Sequence, residues 1–195
     1  MKFLLLKIIF IYLFIPFINA QVKLQIINQE YMPVHTKLLW GEKGFFRTVN
    51  LAPDSREKEL RLRTKMLQNH QKLALASFGL LAYQASLGYN LKDGDFTKLN
   101  KHRKFSTIAW SLYMTSASLS YFAPPGMIYE KRISSMKLHK WLSYLHFAGM
   151  LAIPILGKNI STSNDYNKAL TLHQNVASIT LISMGLSGIL PFLPY

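Results

Sequence analysis

Four largely apolar stretches of about membrane-crossing length, each with a histidine at or near its start, constrain this chain more than any other feature. They are Met66 to Asn90, Phe105 to Ala123, Leu138 to Gly157 and Ala169 to Pro191, and the histidines are His70, His102, His139 and His173. A water-soluble domain of 195 residues seldom needs four such runs. The connections, Lys92 to Asn100, Pro124 to about residue 137 and Lys158 to Asn167, are short. Short connections favour neighbours that run antiparallel, so the expected fold is all-α, an up-and-down four-helix transmembrane bundle over 66–195.

The rest of the chain reads as accessory to that bundle. Residues 1–20 resemble a secretory leader: Lys2 starts a short basic region, Phe3 to Phe17 is apolar apart from Lys7, and Ala20 offers a cleavage point. An uncleaved anchor is the alternative. Residues 21–65 form a short extramembrane segment ending in a basic helix. Val22 to Ile26 alternates like a strand, Trp40 to Gly44 reads as a turn, and His35 is an ordinary polar-segment histidine. Asp54, with Glu57 three residues on, marks the start of one long helix from about Ser55 to Tyr89. Its basic residues Arg56, Lys58, Arg61, Arg63 and Lys65 read as a solvated face lining the membrane surface.

Charge and cysteine content narrow the function classes. Lys and Arg number 23 against 9 Asp and Glu, a net charge of +14. That balance suits an anionic lipid surface, and no nucleic-acid-binding motif accompanies it. With no cysteine, disulfides, iron–sulfur clusters, covalently attached haem and cysteine nucleophiles are excluded. A cleaved leader places 21–65 and the 124–137 connection outside. The basic residues Lys92, Lys98, Lys101, Arg103 and Lys104 then face the cytoplasm, as the positive-inside rule favours. The setting expected is a bacterial inner (cytoplasmic) membrane, with the N-terminal segment extracytoplasmic.

Histidine is costly inside a membrane helix without a partner, so four at matched places form a functional hypothesis. Because neighbouring helices alternate in direction, His70 and His139 share one side of the bundle, while His102 and His173 share the other. Each is a diagonal pair in a square bundle, able to present two imidazoles at one level. Two imidazoles make a six-coordinate, electron-transferring b-type haem with no open position. The faces continuing from these histidines are mostly small: Ala74, Ser77 and Leu81 after His70, Ser106, Ala109 and Tyr113 after His102, Ala177, Thr180 and Met184 after His173, near Gly188. Small residues also pack membrane helices with no cofactor at all. His146, seven residues after His139 and about 10 Å deeper, competes with His139 as ligand, or serves a haem propionate or proton movement.

Residues 66–192 resemble the four-helix core of the cytochrome b561 family, including its ferric-reductase and DOMON-associated members. The resemblance lies in His70 within MLQNHQKLA, His102 within NKHRKFS, His139 within MKLHKWLSYLHFAGM and His173 within LTLHQNVAS. It implies first-with-third and second-with-fourth pairing, one or two non-covalent b-type haems, and single electrons crossing the bilayer between an electron donor and an acceptor, or a redox partner protein. It marks the chain as a candidate transmembrane oxidoreductase. Additional flanking spans common in the family are represented here only by the leader, His146 has no counterpart, and no donor-site motif is evident. Two other readings compete: a cofactor-free membrane scaffold or assembly subunit packing through the small faces, and a proton or divalent-metal path using His139, His146 and His173. The four spans contain no Asp or Glu, which disfavours the path and hydrolytic chemistry alike.

Overall fold

A computed structural model of the chain describes residues 32–126 and 133–193. The leader and the Val22 to Ile26 alternation lie outside the described residues. Six α-helices follow in order: α1 (Val34–Trp40), α2 (Phe45–Thr48), α3 (Arg56–Lys92), α4 (Leu99–Tyr121), α5 (Ser135–Asn159) and α6 (Tyr166–Ile189). Among the described residues there is no strand.

Local chemistry sets where each long helix begins. Ser55, not Asp54, caps α3, its hydroxyl accepting from the Lys58 backbone N–H at 3.4 Å. Asp54 is held instead by the Lys58 ammonium at 2.8 Å, and Glu57 pairs with Arg61 at 2.9 Å, so neither makes the expected capping box. Gly94, at φ +94°, supplies the left-handed turn after α3, where a side chain would be strained. Helix α4 starts six residues ahead of its apolar run, because the polar segment Asn100 to Lys104 is helical too. Ser134 caps α5 and Asp165 caps α6, each side chain accepting the N–H three residues on. Pro154 sits inside α5, which nonetheless continues to Asn159.

The four long helices pack as two hairpins, α3 with α4 and α5 with α6. Helix α3 also meets α6, where the ring of Phe78 lies 3.3 Å from where a Cβ on Gly185 would stand. Larger side chains bridge α4 and α5: the Trp110 indole N–H donates to the Met150 carbonyl at 3.0 Å, and the Tyr113 hydroxyl meets His146 Nδ1 at 2.7 Å. Tyr113, Met150 and Met184 form the small apolar centre, with Leu81 packed against it.

Polar and apolar surfaces are distributed opposite to a water-soluble bundle. Ser77, Ser116, Thr180, Ser183 and Ser187 are at most 3% exposed, whereas Trp141, Ile155 and Ile182 are 62–70% exposed. Water would drive the second set inward. By length and apolarity one helix among the described residues, Tyr166–Phe192, qualifies as able to cross a membrane, and 22% of its most apolar window is buried. Four such helices were expected from the apolar runs. Interior Ser, Gln and His, together with basic residues at the helix ends, lower the apolarity of α3, α4 and α5.

Residues 32–53 contribute a cap at one end of the bundle. The Trp40 indole donates to the Phe122 carbonyl at 3.1 Å, tying α1 to the end of α4. Glu59, 1% exposed, accepts from Arg47 at 2.6 Å and Arg56 at 2.8 Å. Arg56 also reaches the carbonyls of Pro125 and Gly126, and Arg63 donates to Pro124. The basic face of α3 is therefore only partly solvated: Arg56 and Arg63 lock the Pro124-Pro125-Gly126 corner, a role invisible in their charge alone. Prolines there have no N–H of their own, so the carbonyls are the groups left to satisfy.

Candidate functional site: two pairs of histidines inside the bundle

The second hairpin repeats the first. A shift of 69 residues (70 to 139) carries His70 onto His139 and Gly88 onto Gly157. A shift of 71 residues (102 to 173) carries His102 onto His173 and Ser116 onto Ser187. Equivalent positions make equivalent contacts, which places two related sites at opposite ends of the bundle.

At the capped end, His70 Nδ1 lies 3.0 Å from the Ser116 carbonyl oxygen, and His139 Nδ1 lies 2.8 Å from that of Ser187. A carbonyl can only accept, so both Nδ1 atoms carry the proton. The two serine hydroxyls sit 3.0 Å and 2.9 Å from the same nitrogens, and each donates to the carbonyl of the histidine itself. Each imidazole is thereby fixed in orientation and tautomer, with the lone pair left on Nε2. His139 is within electrostatic range of His70 across the diagonal.

At the other end, the rings of His102 and His173 meet edge to face, with centroids 6.5 Å apart and planes at 70°. These are the diagonal partners, α4 with α6, and they point inward. A metal held by two imidazoles at about 2 Å per bond, with ring centres about 1 Å further back, needs a centroid separation of about 6 Å. A Cβ on Gly157 would press to 3.2 Å on His173 Cε1, whereas one on Gly88 would make an ordinary contact of 3.5 Å with His102 Cε1. The Nδ1 atoms of His102 and His173 are buried with no hydrogen-bond partner. The backbones of Gln84 and Ile153, again equivalent by the 69-residue shift, lie within hydrogen-bonding influence of these two rings.

His146 lies within electrostatic range of both His139 and His70. Its repeat equivalent is Ser77, which donates to the Ala109 carbonyl at 3.0 Å, and His146 is likewise turned to α4, where its Nδ1 shares a 2.7 Å hydrogen bond with the Tyr113 hydroxyl. His35 sits in the cap, stacked on Tyr121 at 4.8 Å. Burial and, secondarily, Lys140 hold its pKa below the ordinary 6.5.

Among the described residues no three His, Asp or Glu side chains converge as a metal cluster. Histidines that come in twos suit an iron whose remaining four ligands come from a macrocycle. Of the helical faces named from the sequence, Ser77, Ala109, Tyr113, Thr180 and Met184 are buried, whereas Ala74, Leu81, Ser106 and Ala177 are half-buried. Ser116, Ser187, Gly88 and Gly157 escaped that reading. The signal for them was available in the repeat itself, since each stands at one constant offset from its counterpart. Comparison of the chain with family models, with curated proteins and with solved structures yields no match.

Proposed function

We propose that this protein is a cytochrome b561-like integral membrane electron-transfer protein. His70 and His139 would hold one b-type haem, and His102 with His173 a second. The observation that carries the proposal is the His102–His173 pair, two inward-facing imidazoles from alternate helices at a separation suited to one iron. A bound b-type haem supplies reversible one-electron chemistry. The chain's own residues supply the rest. Ser116 and Ser187 orient the first pair of imidazoles, and Gly157 leaves room for the His173 ring of the second. His146, fastened to Tyr113, lies outside both ligand pairs.

Membrane immersion of all four long helices is part of the proposal. It is supported by the apolar exterior, the small polar interior and the basic residues at both helix ends. Inside, Ser77, Ser116 and Ser187 donate to backbone carbonyls of a neighbouring helix, and Thr180 and Ser183 to carbonyls of their own.

Single His→Ala variants test the proposal through the pattern of haem loss. His70→Ala and His139→Ala should remove one and the same spectral component, and His102→Ala and His173→Ala the other. His146→Ala should retain both. A protein without haem, in which His70→Ala and His173→Ala together leave membrane accumulation and partner recovery unchanged, would instead be a scaffold.

A further inference from the structure

We infer that the outer face of the cap is an in-plane membrane anchor, seated in a headgroup layer that contains anionic phospholipid. This rests on membrane immersion of the long helices and is independent of haem. On α1, Val34, Lys37 and Leu38 stand three and four residues apart on one exposed face, opposite the buried Thr36 and Trp40. Val34 is 75% and Leu38 69% exposed, and Phe45, Val49 and Leu51 in and around α2 are exposed as well. Water would not leave so many large apolar groups outside on a segment this short.

Ring contacts fix the height of this face along the bundle. His35 stacks on Tyr121 at 4.8 Å, Tyr121 meets Phe122 at 5.2 Å, Phe122 meets Phe46 at 6.4 Å, and Phe46 meets Phe45 at 5.5 Å. One unbroken run of rings thus joins the cap to the end of α4, where Tyr121 and Phe122 are themselves exposed. Trp141, near the start of α5, is exposed at the same end. Exposed Tyr and Trp at the ends of membrane helices mark the level of the headgroups. A short helix tethered there presents Val34 and Leu38 to lipid rather than to open water. Charge then selects the lipid. Helix α1 carries Lys37 and no acidic residue, and Lys140 is near enough to act electrostatically on the His35 ring. Across residues 32–65, five exposed cations outnumber the three exposed acids Glu42, Asp54 and Glu57. Apolar side chains beside a cationic surplus are what an interfacial helix offers an anionic layer.

Because the chain has no cysteine, a fluorescent bimane can be placed at one position at a time. Leu38→Cys, Phe45→Cys and, as a reference on α6, Ile182→Cys are each labelled in the full chain and placed in bilayer discs of phosphatidylcholine and phosphatidylglycerol. All three positions are exposed, so the label disturbs no packing. Nitroxide-bearing lipid should quench all three, and aqueous iodide none. At position 38, nitroxide on phosphatidylglycerol should quench more than nitroxide on phosphatidylcholine, and Lys37→Gln should lower that preference by about fivefold, the effect of one lysine at an anionic surface. Iodide quenching at 38 and 45, with 182 quenched by lipid, would overturn the inference and leave the membrane reading standing. Protection of 38 and 45 from both quenchers would mean a protein cover, residues 1–31 or a second copy, and would overturn it equally. Equal quenching by the two lipids would overturn the anionic partner. Iodide quenching at 182 would overturn the inference and the membrane reading together.

Discussion

Gly149 leaves no room for a side chain against Thr180 across the second hairpin, and exchanging its missing side chain with Thr180 gives a demanding test of the packing. A Cβ built on Gly149 would stand 3.0 Å from Thr180 Cβ and 3.2 Å from its Cγ2, with Oγ1 nearer still. Thr180 cannot swing away at no cost, because its hydroxyl donates to the Val176 carbonyl at 2.6 Å and the residue is 2% exposed. Gly149→Ala should therefore destabilise by about 1–3 kcal/mol through overpacking, even though alanine is the better helix former by about 1 kcal/mol. For a chain of this size about 2 kcal/mol lowers the melting temperature by about 4–8 °C. The swap Gly149→Ala/Thr180→Gly keeps one Cβ at the contact and moves it to the other helix, so the helix-propensity changes nearly cancel. Its cost should fall at least about 1 kcal/mol short of the sum of the singles, the coupling expected of residues in contact. Thermal unfolding by circular dichroism in detergent micelles measures all four members of the cycle. Additive single and double variants would refute the close approach, and with it the placement of His173 against Gly157 on the same pair of helices.

Three further outcomes follow from the cap and the centre. Glu59→Gln leaves Arg47 and Arg56 without their shared carboxylate; since both guanidiniums keep some water, a loss of about 3 kcal/mol is expected, at the low end for a broken buried pair, read as faster proteolysis of residues 32–55. The cap should also loosen in mild acid. The docked His35 ring takes up a proton less readily than a released one, through burial first and Lys140 second, so its contribution is complete above pH 6.5 and declines as the pH falls below that value. Amide exchange in α1 at pH 7.5 and 5.5 would show this, and His35→Phe, which keeps the stacking on Tyr121, should abolish the difference. Tyr113→Phe leaves His146 Nδ1 buried without its hydrogen-bond partner, costing about 1–3 kcal/mol of stability while the haem content stays at the wild-type level.

How far the sequence can be read depended on which signal each residue carries. The four long helices and the inward faces of His70, His102 and His173 follow from spacing, because the α-helical repeat places residues three and four apart on one side. Helix starts were less legible: Asp54 and Ser55 both cap well, and only the position of Lys58 decides between them. The cap was hidden for a different reason. Trp40, Arg47 and Glu59 act on groups far along the chain, such as the Phe122 carbonyl, and backbone carbonyls leave no mark in a sequence. Ser116 and Ser187 do leave one, but only when the two hairpins are aligned on each other. Hydropathy separates the helices least evenly: among the described residues Tyr166–Phe192 alone is long and apolar enough to cross a membrane, and interior Ser, Gln and His lower the apolarity of the other three long helices.

The central claim is that paired imidazoles from alternate helices each clamp one iron. Reduced pyridine haemochrome, with haem counted per polypeptide in protein purified after expression with ample haem, tests it most directly. Two haems b per chain are predicted, and a colourless chain that is folded and membrane-embedded would contradict the account.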